Sequence, residues 1–139
     1  MAQEMRSPIE SGCPDAFQYM HPVMRKNYGQ WAYHEDPQPG VLVHVSNNGD
    51  KIWTVRAGTQ RILDVFTLRK LCDIGDEYGE GYIHFTIRSN IEYQVADEAK
   101  VQPLIDKLRE AGFIVGGTRN SVAMISHTQG WLHCDIPGT

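Results

Sequence analysis

An α+β fold is predicted by three features of the sequence: two apolar stretches at helical spacing, short β-branched runs with two-residue alternation, and the order in which they occur. Val65, Leu68, Leu71, Cys72, Gly75 and Tyr78 share one side of a helix that Asp64 is placed to cap and "GEG" at 79–81 ends. Val101, Leu104, Ile105 and Leu108 give a second helix its apolar side. That helix is predicted to begin near Gln102, with Pro103 in its first turn, and to end near Gly112. "IWTVRA" (52–57) reads as a strand before the first helix. "YIHFTI" (82–87) and "IEYQV" (91–95) read as a hairpin about "RSN" between the helices, and "SVAMIS" (121–126) as a last strand after the glycine-rich turn "FIVGGTRN". Strand, helix, strand, strand, helix, strand is the ferredoxin-like βαββαβ plan, an antiparallel sheet with both helices on one face.

Upstream, "VLVHV" (41–45) reads as an added strand, joined to 52–57 by "SNNGD", a hairpin turn with an Asn-Gly pair. Residues 1–40 read as an extended N-terminal arm. Pro8, Gly12 and Pro14 interrupt its first half, and Met24, Tyr28, Trp31 and Tyr33 are apolar docking groups ahead of Pro37 and Pro39. The domain proper is then 41–126, and 127–139 reads as the start of a further segment.

Composition narrows the class. The chain has 139 residues, 41% hydrophobic and 22% charged, which suits one globular domain with a real core. A net charge of −4 argues against a nucleic-acid partner, which calls for a basic footprint. No apolar run approaches membrane-spanning length, and "MAQEMRSPIESGCPDAF" lacks the apolar core of a secretory signal. Cys13, Cys72 and Cys134 are scattered and form no C-x-x-C pair, so reduced thiols in the cytoplasm are expected.

Strand alternation assigns the two sheet faces. Trp53, Val55, Ala57, Ile83, Phe85, Ile87, Ile91, Tyr93 and Val95 fall on the helix side. Thr54, Arg56, His84, Thr86 and Arg88 fall on the bare side, with Arg61 and Arg119 in turns that border it. Arginines and threonines gathered there suggest an anion site. The competing reading is that they pair with neighbouring carboxylates, Glu92 and Gln94 being the acid and the amide on that side of the hairpin. In the tail, His127, His133, Cys134 and Asp135 are ligand-type residues, but H-x5-H-C-D matches no zinc template. A packed Cys134 is expected there, with a mononuclear metal site or a Cys–His nucleophile as the alternatives.

The blocks "HPVMRKNYGQWAYHEDPQPGVLVHV", "TVRAGTQR", "LCDIGDEY", "GYIHFTIRSNIEYQVADEA", "GGTRNSV" and "HTQGWLHC" follow one another from about His21 to the end. In this order and spacing the chain resembles the N-terminal part of the beta subunits of dissimilatory sulfite reductases. The resemblance implies an α2β2 enzyme with sirohaem coupled to a 4Fe-4S cluster, interconverting sulfite and sulfide in six electrons, reductively or, in sulfur oxidisers, in reverse. It also implies an alpha-subunit partner, on which the arm is expected to dock, and a small cysteine-bearing sulfur-carrier protein. Arg88, in "FTIRSN", matches the position of a substrate-side arginine and is the expected catalytic residue. Arg56 in "TVRAG" and Arg61 in "GTQR" are expected to hold sirohaem carboxylates. Thr86, His127, Thr128 and Gln129 are expected to face the macrocycle. Arg119 stands where the family pattern has a small residue, and it is included as a cofactor contact. The tail "HCDIPGT" departs from the family's "HCHTPAT". The cluster ligands of the family lie in a cysteine-rich second half, and three scattered cysteines do not hold four irons. The expectation is therefore an N-terminal part that binds neither cofactor, nor a metal, and is inactive alone. The readings kept beside this are a non-enzymatic ferredoxin-like module binding an anion or a protein, and half of an assimilatory enzyme, against which "HTQGWLHC" counts.

Overall fold

The computed structural model describes residues 15–60 and 62–123. Its elements are α1 (Pro22–Lys26), β1 (Trp31–Gln38), β2 (Val41–Ser46), β3 (Lys51–Gly58), α2 (Val65–Tyr78), β4 (Tyr82–Phe85), β5 (Asn90–Val95), α3 (Val101–Glu110) and β6 (Ile114–Val115). The strands form one antiparallel sheet in the order β1-β2-β3-β5-β4, with β6 also on β3. β5 covers one edge of β3. β2 and β6 share the other edge end to end, pairing Lys51–Val55 and Ala57–Gly58 respectively. β6-β3-β5-β4 is the ferredoxin-like order the sequence predicts.

The core lies between this sheet and the two long helices. Val55, Ala57, Ile91, Tyr93 and Val95 meet Leu71 and Ile74 of α2 and Val101, Leu104, Ile105 and Leu108 of α3. Asp64 caps α2 as expected, its carboxylate accepting the Thr67 N–H at 2.8 Å. α2 rides on Tyr93: a Cβ at Gly75 would stand 3.1 Å from the ring, and the Tyr93 hydroxyl donates to the Leu71 carbonyl at 3.0 Å. Burial pushes the Tyr93 phenol well above its usual range. The apolar side of α3 is the one predicted. Its start is one residue earlier, at Val101, because a 3-10 turn at Glu98–Lys100, capped by Asp97, leads into it.

Several expectations are corrected. On α2, Val65 and Cys72 are exposed and Ile74 takes the core position, so the buried stripe is Leu71, Ile74 and Gly75. β4 ends at Phe85 rather than Ile87, and both side chains are exposed. The turn begins at Thr86: its N–H donates to the Asn90 carbonyl, its carbonyl accepts from Ser89, and its hydroxyl accepts the Asn90 N–H. Among the described residues the last strand is Ile114–Val115. Two residues are all the chain can add there, because Gly116 and Gly117 turn it away and Ser121 folds back to hydrogen-bond Thr118. Ser121–Ala123 are not in a strand, and 124–126 lie outside the described residues.

The segment read as an arm enters the sheet. His21 caps α1: its Nδ1 accepts the Val23 N–H, so its Nε2 carries the proton donated to Glu80 at 2.7 Å. Burial disfavours the Glu80 carboxylate, but hydrogen bonds from His21 and from the Ala96 and Asp97 amides outweigh it and hold its pKa below the usual range. β1 then forms the sheet edge, with register shifts between Trp31 and Tyr33 and between Glu35 and Gln38. The second shift contains Pro37. An edge strand with a bulge accommodates a residue that has no N–H to give.

Candidate functional site

On the face opposite the helices, register sets Arg56 of β3 beside Glu92 of β5, and Glu92 beside His84 of β4. The Glu92 carboxylate is nearly inaccessible. It accepts from Arg56 Nε at 2.8 Å and contacts His84 Nε2 at 2.6 Å. Burial works against its charge, but the His84 and Arg56 hydrogen bonds win and hold its pKa at about 2. Gln94 donates to the other ring nitrogen of His84 at 3.3 Å, which fixes the tautomer with the proton on Nε2, toward Glu92.

A loop after β6 brings further groups to this row. The Gly117 carbonyl accepts from Arg88 Nη2 at 2.9 Å and from Arg56 Nη1 at 3.2 Å, so one backbone oxygen draws two guanidinium groups together. Gly117 has φ +87°, a left-handed conformation that favours glycine, and a Cβ there would stand 3.0 Å from Asn90 Nδ2. The loop is fastened to β1. Thr118 donates to Asp36 Oδ1 at 3.3 Å and accepts the Gly40 N–H at 2.9 Å, while Arg119 Nε contacts Asp36 Oδ2 at 3.1 Å.

Together these groups surround a cleft of about 240 Å³. Arg56, Arg88 and Arg119 supply its cations, and His34 and Asp36 of β1 and Leu42 of β2 complete the lining with the loop. That volume is below the roughly 300–1,000 Å³ of pockets for drug-sized ligands. It admits a small oxyanion or one carboxylate arm of a larger group. Among the described residues two buried polar atoms lack a hydrogen-bond partner, Thr54 Oγ1 and Asn90 Oδ1. Both residues belong to this face by strand alternation, as they share the parity of Arg56 and Glu92. Orphaned buried polar atoms are uncommon in native interiors, and both of these lie on the face that carries the arginines.

The sequence-predicted site is thus partly assembled. Arg56, Arg88 and Arg119 meet at one cleft. Thr86 serves the adjacent turn through its hydroxyl. Arg61, His127, Thr128 and Gln129, with His133, Cys134 and Asp135, lie outside the described residues. The carboxylate-pairing reading applies to Arg56, and Arg88 is not among the described ion pairs. Sequence reasoning missed His34, Asp36, Gly117 and Thr118. The "YHED" alternation at 33–36 was the available signal, hidden by the prolines that follow it. Among the described residues no three His, Cys, Asp or Glu side chains are arranged to hold a metal ion, and no helix is long and apolar enough to cross a membrane.

Comparison with known proteins follows the same lines. Residues 44–111 match the family model described as the nitrite/sulfite reductase ferredoxin-like half domain. Three curated relatives all carry the name "Sulfite reductase, dissimilatory-type subunit beta". The protein from Archaeoglobus fulgidus is 48% identical over 125 residues, covering 85% of this chain and 34% of the relative. That from Nitratidesulfovibrio vulgaris is 44% identical over 129 residues, 88% of this chain and 34% of the relative. That from Megalodesulfovibrio gigas is 39% identical over 146 residues, 99% of this chain and 56% of the relative. The chain therefore spans between a third and just over half of the length of these relatives.

Proposed function

The chain belongs to the family of dissimilatory-type sulfite reductase beta subunits, and from that premise we propose that the bare face of its sheet is one wall of the cavity in which such an enzyme holds sirohaem and sulfite. The observation that carries this reading is the convergence of Arg56, Arg88 and Arg119 on one cleft, on the sheet face where two buried polar atoms have no partner among the described residues. The residues fit the group. A macrocycle with many carboxylates and an oxyanion substrate both need cations held in a desolvated place, and guanidinium forks match carboxylate geometry. The cleft is too small to enclose a tetrapyrrole, so this chain would hold its rim and acidic arms, with the rest of the cavity formed elsewhere.

When bound, sirohaem coupled to a 4Fe-4S cluster would relay electrons from an external donor to sulfite. The chain's own contribution is charge and order. Arg88, fixed by Gly117 and free of a described ion pair, orients the substrate oxygens and stabilises the negative charge that accumulates as S–O bonds break. Arg56 is held on two edges, by Glu92 and by Gly117, and acts as a rigid positive wall toward the carboxylates. Arg61, Thr86, Arg119, His127, Thr128 and Gln129 complete the cofactor contacts in this proposal. The assembly is an α2β2 heterotetramer in the cytoplasm, exchanging sulfur with a small cysteine-bearing carrier and running in the reductive or the oxidative direction. β1, at the sheet edge with Tyr33 exposed, is the surface for the alpha subunit.

The test is Arg88→Gln in the assembled enzyme. Sulfite turnover should fall about 100-fold or more, as on loss of a charge-stabilising donor, while sirohaem absorbance is kept. Unchanged turnover would sink the assignment. The 139-residue chain alone, reconstituted anaerobically with sirohaem and iron sulfide, should show no cluster absorbance.

A further inference from the structure

We propose that His34 is a fourth, proton-linked binding group of the arginine cleft, taking up a proton as a doubly charged oxyanion enters. The inference rests on the reading of the cleft as an anion site and extends it to a residue outside the guanidinium set.

Charge accounting at the cleft leads to it. Of three guanidinium groups, Arg56 is in an ion pair with Glu92 and Arg119 with Asp36. Among the described residues Arg88 makes no ion pair, its described bond being to the neutral Gly117 carbonyl. Among the described residues a dianion entering the cleft thus meets one uncompensated positive charge and brings two negative ones. The second charge calls for another cation in the lining, and His34 is the lining group that becomes one by gaining a proton in the neutral pH range.

The surroundings of His34 favour that role. It is exposed on β1 and pairs in register with His44 of β2, ring centroids 6.3 Å apart. Burial, reinforced by His34, Arg56 and His84 and opposed by Glu92, holds His44 below the ordinary histidine range. Of the two rings, His34 is the one that lines the cleft and is open to water. The other charged groups on this side are Asp36 on β1, Arg56 on β3, Arg88 in the turn, Arg119 in the loop, Glu92 on β5 and His84 on β4. Asp36, Glu92 and their partners are mutually neutralised. The anion raises the pKa of His34 in the bound state, so binding strengthens as pH falls through the histidine range.

Sulfate is the probe, because its charge is constant between pH 5.5 and 8. Calorimetric titration of the chain in two buffers of different ionisation enthalpy should show proton uptake. Affinity should be about tenfold higher at pH 5.5 than at pH 8 if the anion raises the pKa of His34 by about one unit. In the unsubstituted chain, the imidazole C–H resonance of His34 should titrate at higher pH with sulfate present. His34→Gln should lose most of the uptake and of the pH dependence. A His34→Gln chain that keeps both, or a His34 resonance unmoved by sulfate, overturns the proposal. Arg88→Gln should weaken binding at both pH values. If it binds as the unsubstituted chain does, the cleft reading itself fails, and this inference with it.

Discussion

The same strands build two unlike surfaces. On β5, Ile91, Tyr93 and Val95 face the helices and are almost wholly buried among aliphatic side chains. Alternating with them, Asn90 and Glu92 are equally buried but face arginine, histidine and a glycine-rich loop. The first surface is held by apolar area removed from water, which is insensitive to direction. The second is held by directed, charge-assisted contacts and by register. Burial alone therefore does not separate scaffold from site in this molecule; the kind of neighbour does.

The contrast is sharpened by substitutions on each side. Leu104→Ala, at a fully buried helix-side position, should cost about 3 kcal/mol in chemical denaturation and leave sulfate binding at native conditions unchanged. Glu92→Gln should cost about 2–3 kcal/mol, because it removes the anion that Arg56 and His84 face. Glu92 also carries a pH signature. A carboxylate held at about 2 against an ordinary 4.5 contributes fully above about pH 4.5, and its contribution is lost as pH falls toward 2. The unsubstituted chain should therefore lose on the order of 3 kcal/mol more than Glu92→Gln across that window. If the two lose stability in parallel, the row is not the ionic scaffold described. Gly117→Ala should cost about 1–2 kcal/mol, from the left-handed backbone and the contact with Asn90, and should weaken sulfate binding by turning the shared carbonyl away from the arginines. Arg88→Gln should change stability by no more than about 0.5 kcal/mol, as for an exposed side chain, while causing the largest loss of anion binding.

The helix-side surface was largely legible in the sequence. Its pattern is periodic, and both the α3 stripe at Val101, Leu104, Ile105 and Leu108 and the strand set at 91, 93 and 95 follow from spacing. Expectation failed at the rims, where Val65, Phe85 and Ile87 are apolar yet exposed, because turn chemistry at Thr86 and the helix start decide there. The bare surface was legible by residue type but not by partner. That Arg56 stands opposite Glu92, and Glu92 opposite His84, is a matter of register, which depends on where each turn closes. His34 and Asp36 were hidden because Pro37 and Pro39 disguise β1 as a loop. Gly117 and Thr118 act through backbone conformation and through contacts with residues 29 to 82 positions away, which no local pattern encodes.

Those last contacts govern when the cleft exists. Thr118 joins Asp36 across 82 residues and Gly40 across 78, and Arg56 reaches Gly117 across 61. Contacts so distant in sequence close late, after local turns and helices have formed. In a chain emerging N-terminus first, β1, β2 and β3 are complete long before residue 117 leaves the ribosome. Until then the Gly117 carbonyl that Arg56 reaches and the Thr118 hydroxyl that Asp36 accepts from are missing from the cleft. The cleft is thus the last part of this sheet face to close, and its assembly reports that the strands, helices and the loop after β6 have all found their places.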